Sequence, residues 1–221
     1  VILCEKISVV IPCKNEGKNV LKTIQSIPSG VSIILSDSST DSTLNHIPSH
    51  VKITQGGLPS CARNNGAKLV NTPYVLFLDA DMDISNVNLE KMISDVIKED
   101  YQLVTTKIRV NTWRNIFYET FYVIQKIISK KTPFAVGGFM LFKLEEFYKL
   151  GQFNEEDKFA EDFHLSMKVN PNKFKIYKDV AITSDRRLKN KGVFYILFLM
   201  LKCWFNKDNN DFYKKDHNYW K

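Results

Sequence analysis

Three apolar runs constrain this chain more than any other feature: Ile7-Ser8-Val9-Val10-Ile11, Val31 to Leu35, and Tyr74-Val75-Leu76-Phe77-Leu78. Each reads as a buried strand, and each is followed by polar residues: Cys13-Lys14-Asn15-Glu16, Asp37 to Asp41, and Asp79 to Asp83. Helical pattern covers about Gly17 to Ile27 and Ser60 to Val70, with a short strand at Val51 to Thr54 between them. Strands separated by helices at this spacing form βαβ units, so the chain is expected to be an α/β protein with a mostly parallel sheet flanked by helices. In such sheets ligands bind beyond the C-terminal strand ends, where all three polar clusters converge.

The second half is less regular. Leu89 to Ile97 reads as an amphipathic helix, Gln102 to Val110 as a strand, and Gly137-Gly138 opens a strand through Phe142. Glu161 to Val169 is expected to be helical, Phe174 to Thr183 a strand, and Val193 to Phe205 a strongly apolar helix. Trp113, Ile116, Phe117, Thr120, Phe121, Ile124, Ile127 and Ile128 repeat at helical spacing, a stripe expected to pack into the core, with an interfacial membrane face as the alternative. The 221 residues suit one α/β domain with a small appendage.

The acidic cluster Asp79-Ala80-Asp81-Met82-Asp83 follows the strongest strand. Carboxylates at Asp79, Asp81 and Asp83 supply hard oxygen ligands suited to Mg²⁺ or Mn²⁺, which in turn bridge phosphates. Asp37 is suited either to capping the following turn or to accepting hydrogen bonds from a nucleobase. Glu161-Asp162 opens a helix, where acidic residues complement the dipole; the functional reading is a general base for an acceptor hydroxyl. His164 beside them reads as structural.

The net charge of +7 admits nucleic acid, an anionic membrane or a phosphorylated small molecule as partner. The basic residues are scattered and no nucleic-acid motif is present, so nucleic acid is not expected. Cys4, Cys13, Cys61 and Cys203 lie far apart, which argues against a zinc site or disulfide framework and fits a reducing, cytoplasmic setting. No signal peptide is recognised at the start. The absent initiator Met leaves an upstream segment open. Val193 to Phe205 is too short to span a bilayer, and is read either as a buried helix or as an interfacial one at the inner face of a membrane.

Ser8 to Glu16, Asp37-Ser38-Ser39-Thr40-Asp41, Ala62-Arg63-Asn64-Asn65-Gly66-Ala67 and Phe77 to Asp81 together resemble the family 2 glycosyltransferases of GT-A fold. Gly137-Gly138-Phe139, Leu150-Gly151-Gln152-Phe153 and Glu161-Asp162 are similar to that family's acceptor half. The resemblance implies a Rossmann-like GT-A domain over residues 1–190. Its nucleotide-sugar half would be 1–110 and its acceptor half 111–190, with an apolar helix and basic tail over 191–221.

It also implies roles. Pro12, Asn15 and Glu16 would line the nucleotide pocket; Asp37, with Ser39 nearby, would bond the base; and Arg63 would sit near base or phosphates. Asp79 would contact ribose or metal, Asp81 would ligate the metal, and Asp83 would add a further ligand. Asp162 would be the catalytic base, oriented by Glu161. Arg186 or Arg187 would pair with the pyrophosphate or serve in surface salt bridges.

The activity implied is inverting transfer of one sugar from a nucleoside-diphosphate sugar, UDP or GDP, to a glycan or lipid-linked acceptor. Two departures from the family pattern stand out: no histidine lies between His164 and His217, and the Gln-x-x-Arg-Trp motif of processive members is absent. A nucleotidyltransferase and a sugar- or nucleotide-binding module are the rival readings. The first lacks its Gly-rich signature after the first strand, and a Rossmann dehydrogenase fails for want of Gly-x-Gly-x-x-Gly.

Overall fold

The computed structural model describes residues 2–215. His217 and the end of the expected basic tail lie outside the described residues. After a short helix α1 (Leu3–Lys6), strands β1 (Ile7–Cys13), β2 (Ser32–Asp37), β3 (Lys52–Gln55) and β4 (Tyr74–Leu78) alternate with helices α2 (Asn19–Ser26) and α3 (Pro59–Ala67). The second half contains α4 (Leu89–Glu99), β5 (Leu103–Arg109), α5 (Asn115–Ile128), β6 (Phe139–Lys143) and α6 (Leu144–Lys149). It ends with α7 (Glu161–Ser166), β7 (Phe174–Ile182), α8 (Arg186–Lys191), α9 (Val193–Phe205) and α10 (Asn210–Tyr213).

The strands form one seven-stranded sheet in the order β3-β2-β1-β4-β6-β5-β7. β3, β2, β1 and β4 are parallel, and β5 is parallel to β7. β6 runs antiparallel to both neighbours, β4 and β5. This one reversed strand, inserted after the long α5 excursion, joins the two parallel groups.

The central strands β1, β4 and β6 are almost wholly apolar because both faces of the sheet are covered there. Alternation sends Val9, Ile11, Leu76, Leu78 and Leu141 into one core layer, and Val10, Val75, Phe77, Met140 and Phe142 into the other. On the first face α4 buries Leu89, Met92, Ile93 and Val96, a helical i, i+3, i+4, i+7 stripe. Asn88 caps its start by accepting from the Lys91 amide at 2.9 Å. On the second face α3 approaches β1 so closely that a Cβ on Gly66 would stand 2.3 Å from Val10 Cγ1.

Pro12, just past the first apolar run, lies within β1, paired with Ser36. The Cys13 carbonyl accepts from the Ser38 amide on the β2 side. Alternation therefore turns the missing Pro12 donor toward β4, beyond the last β4 pairing at Val10.

The stripe from Trp113 to Ile128 departs from its expected place in the core. Within α5 only Gln125 is buried, while Trp113 is 75% and Ile116 70% exposed. The stripe is wide enough for two faces, and only one of them meets protein. In α9, Ile196, Leu199 and Cys203 are buried, and Leu199 and Cys203 join a small core with Phe159, Phe163, Phe212 and Tyr213. Phe194 (89%) and Phe205 (81%) stand in solvent. Among the described residues no helix is long and apolar enough to cross a membrane.

Candidate active site

A cleft of about 510 Å³ opens at the C-terminal ends of β1 and β4, with Pro12, Asn15, Glu16, Arg63, Asp79 and Asp81 in its wall. The loop after β1 is tied to the loop after β2. Asn15, at a left-handed φ of 56°, donates its amide to Ser39 Oγ (2.8 Å), and its Oδ1 accepts from the Thr40 amide (2.8 Å). Asn tolerates that conformation better than most residues.

Asp37 is not among the residues lining the cleft, nor is Ser39. Both Asp37 oxygens are engaged by Ser39, Oδ2 by its amide (3.0 Å) and Oδ1 by its hydroxyl (2.7 Å). Asp37 thereby holds the turn that follows β2. Burial, with Asp37 adding to it, pushes the Cys13 thiol up to about 12, so it stays protonated.

Arg63 anchors the centre. Its side chain is 2% exposed, and its guanidinium spans two acids: Nη1 donates to Glu161 Oε1 at 2.5 Å and Nη2 to Asp79 Oδ1 at 2.9 Å. Burial works against the Arg63 charge, but Asp79, Glu161 and Asp162 together hold it protonated. Glu161, expected to orient Asp162, instead pairs with Arg63. Asp162 is oriented by backbone: Oδ2 accepts from the Gly137 amide at 2.6 Å and Oδ1 from the Phe163 amide at 2.7 Å. Burial pushes both Glu161 and Asp162 above the usual carboxylate range, against the lowering pull of Arg63.

The three acids of the expected metal cluster diverge. Asp79 and Asp81 line the cleft. Asp81 accepts from Thr183 Oγ1 at 3.3 Å and from the Ser184 hydroxyl, and burial, then Asp79 and Glu16, raises its pKa. Asp83 is not among the residues lining the cleft. Its backbone exchanges hydrogen bonds with Ile182, and Oδ1 accepts from the Ser85 amide at 2.9 Å. Among the described residues no three His, Cys, Asp or Glu side chains are grouped to hold a metal. Two mutually repelling carboxylates beside an open cleft fit Mg²⁺ or Mn²⁺ all the same, because small hard cations use one or two carboxylates and take their other ligands from substrate phosphates and water.

Arg186 crosses the mouth of the cleft to form a two-pronged ion pair with Glu16, at 2.6 and 3.1 Å. Arg187 lines both the cleft and a second cavity. α8 is pinned by Asp185, which accepts from Thr112 Oγ1 (2.9 Å), Arg114 Nη1 (3.1 Å) and Lys189 Nζ (2.8 Å). His164 is structural: Nδ1 meets Asp157 Oδ2 at 2.6 Å and its ring stacks on Tyr213 at 4.4 Å.

Sequence reasoning passed over two residues. Tyr118 on α5 lines cleft and cavity alike, and burial pushes its hydroxyl up to about 12; nothing in its spacing separates it from the apolar stripe. Gly137 holds Asp162 through its amide and leaves no room for a side chain, because a Cβ there would stand 2.5 Å from Arg63 Nη2. The Gly137-Gly138 pair was its signal.

The second cavity, about 550 Å³, lies between α5 and α9 and is walled mainly by apolar side chains. It meets the cleft at Arg63, Asp79, Tyr118 and Arg187, and Asp162 lines the cavity side.

A parallel half joined through one reversed strand to a second half, with a carboxylate-bearing cleft at the strand ends, is the arrangement of the GT-A fold. The family model for Glycosyl transferase family 2 matches residues 8–151, and the chain belongs to that family. Its seven-stranded sheet has the GT-A arrangement.

Solved structures share the fold. Staphylococcus aureus TarS aligns with TM-score 0.63 at 20% identity over 95% of this chain and 41% of that one. TarS 1–349 in complex with UDP aligns with TM-score 0.64 at 20% identity, over 96% and 76% of the two chains. The mannosyltransferase PcManGT from Pyrobaculum calidifontis, in complex with GDP-Man and Mn²⁺, gives 0.63 at 17%, over 89% and 64%. This chain spans less than half of the longer TarS chain. No curated protein matches the sequence.

Proposed function

We propose that this enzyme transfers a single sugar, with inversion at the anomeric carbon, from a UDP- or GDP-sugar to an acceptor hydroxyl or a lipid phosphate. One observation carries the reading: Arg63 and Asp79 line both cleft and cavity, with Asp81 in the wall of the cleft and Asp162 in the wall of the cavity. The complexes of the structural neighbours, with UDP-GlcNAc, UDP, and GDP-Man with Mn²⁺, support a nucleoside-diphosphate donor.

In this reading Pro12 near the end of β1, with Asn15 and Glu16 in the loop that follows, cradles the nucleoside, with Asp37 and Ser39 bracing that loop from behind. Arg186 exchanges Glu16 for the donor's diphosphate, and Arg187 faces it from the same helix. Asp79 and Asp81 would hold Mg²⁺ or Mn²⁺, which when bound neutralises charge on the diphosphate. Asp83 stabilises the loop behind them.

The acceptor oxygen attacks the anomeric carbon from the side opposite the diphosphate. The new carbon–oxygen bond forms as the old one breaks, and the electron pair leaves with the nucleoside diphosphate. Asp162 takes the proton of an acceptor hydroxyl; an ionised lipid phosphate has none to give. A raised pKa suits Asp162 to this task, since a base works best when its pKa approaches the working pH. Residues 1–110 would thus serve the donor and 111–190 the acceptor, with Arg186 and Arg187 reaching back to the donor's diphosphate.

The test is release of nucleoside diphosphate from UDP- and GDP-sugars, with Mg²⁺ or Mn²⁺, by wild type, Asp81→Ala and Asp162→Asn. Release by wild type that both variants lose supports the proposal. Equal release by all three overturns it.

A further inference from the structure

The α5–α9 cavity has one charged end and one apolar end. Asp162, Arg63 and Arg187 mark the charged end; Phe121, Ile124, Phe134, Met200 and Trp204 belong to the apolar wall. At about 550 Å³ it falls in the range of small-molecule sites, about 300–1,000 Å³. A wall of this kind offers nothing to a free sugar, whose hydroxyls need hydrogen-bond partners. It suits a hydrocarbon chain.

The helices that frame the cavity carry a second signal. Their outer faces leave Trp113, Ile116, Ile127, Phe194, Phe198 and Phe205 exposed, far more apolar surface than scattered single residues provide. Lysines border those faces. Lys126, Lys130 and Lys131 lie on or just beyond α5, and Lys189, Lys202 and Lys207 lie on or beside α8 and α9. Lys126 and Lys202 reach over Tyr122 and Phe198 at 5.4 and 4.4 Å, so ammonium groups border the aromatic surface itself. Apolar faces rimmed by lysine, on helices too short to span, are the pattern of an interfacial membrane contact. The net charge of +7 favours an anionic leaflet.

We propose that α5 and α9 seat the enzyme on an anionic bilayer, and that the cavity between them receives the hydrocarbon chain of a lipid-linked acceptor, presenting its polar head to Asp162. This rests on the transfer reaction proposed above and names its acceptor class. The binding claim stands on observations outside the donor cleft.

The test is co-sedimentation of the full chain with phosphatidylcholine vesicles and with vesicles containing phosphatidylglycerol. It is paired with quenching of Trp204 by lipid brominated along its acyl chains, in a Trp113→Phe, Trp220→Phe background. Phe194→Glu combined with Phe198→Glu is the comparison variant, since neither side chain lines the cleft or the cavity.

The expected result is binding to the anionic vesicles, weakened at least about tenfold by the two substitutions, with Trp204 quenched in the bound protein. Thermal shift by UDP or GDP with Mn²⁺ should be the same in the variant, which certifies its fold and keeps the two proposals apart. No vesicle binding by a protein that still responds to nucleotide overturns the lipid assignment and leaves the transferase reading intact. Binding with Trp204 unquenched overturns the cavity's role. Self-association without vesicles, abolished by the two substitutions, gives the face to a second copy of the chain and also overturns the proposal.

Discussion

Arg63 on α3 and Glu161 on α7 lie 98 positions apart, yet their side chains meet at 2.5 Å with almost no access to water. The pair locks α7 to α3 in the first half of the chain, and through Asp79 it reaches the end of β4. Removing one member of a buried ion pair strands the other charge. Arg63→Ala is expected to lower unfolding free energy by about 3–5 kcal/mol, read from urea melts. Arg63→Lys should recover only part of the loss, since one ammonium cannot reproduce the forked geometry. A loss under about 1 kcal/mol for Arg63→Ala would show that the pair contributes little.

Asp162→Asn should cut turnover by about 10²–10⁴-fold for a hydroxyl acceptor, the usual contribution of a general base. It should also alter how stability depends on pH. The folded protein holds the Asp162 proton to a higher pH than the unfolded chain does, because burial raises its pKa. Wild-type stability therefore falls as pH rises from the unfolded carboxylate range, near 4, through the folded value. Asn does not titrate. Melting curves from pH 5 to 8 should accordingly move in the variant's favour as pH rises, and a difference constant across that range would contradict the raised pKa.

Asp81 and Asp83 should separate cleanly. Asp81→Ala is expected to abolish the metal-dependent stabilisation by UDP or GDP that the wild type shows in thermal-shift titrations. Asp83→Ala removes a turn contact and should cost about 0.5–1 kcal/mol of stability while leaving nucleotide response intact. Loss of nucleotide response in both variants would return Asp83 to the metal site.

At Gly137 the expected effect is on activity. A Cβ there would meet Arg63 Nη2 at 2.5 Å and Asp162 Oδ2 at 3.3 Å, so Gly137→Ala must displace one of them. Turnover should drop at least about tenfold, because small displacements of a catalytic group are costly. Full activity in Gly137→Ala would mean that the Asp162 position observed here is not the working one.

Breaking the Glu16–Arg186 pair should expose the latch across the cleft mouth. Glu16→Gln frees the guanidinium for the donor diphosphate, and the donor KM is expected to fall, most visibly at low salt. Arg186→Ala should raise it. A KM that moves in the same direction for both substitutions would argue against exchange of Arg186 between carboxylate and diphosphate.

Much of this protein was legible in order along the chain. Runs such as Tyr74–Leu78 are apolar at every position because both faces of the sheet are covered, and a fully buried strand has no polar side to disguise it. The polar residues that end those strands lie at the ligand edge for the same topological reason, so Pro12, Asn15, Glu16, Asp79 and Asp81 could be placed at one cleft from spacing and resemblance. What the sequence could not decide was which of several chemically competent side chains are turned inward. Asp37 and Asp83 carry the same carboxylate as Asp81, but local amides of Ser39 and Ser85 claim theirs, a choice set by loop geometry. Helical periodicity in α5 and α9 reports an apolar face without naming what covers it. Only the tertiary structure leaves those faces open, with a cavity between them that leads to Asp162, because hydrophobic burial is non-directional and the same stripe serves a protein core or a lipid surface equally well.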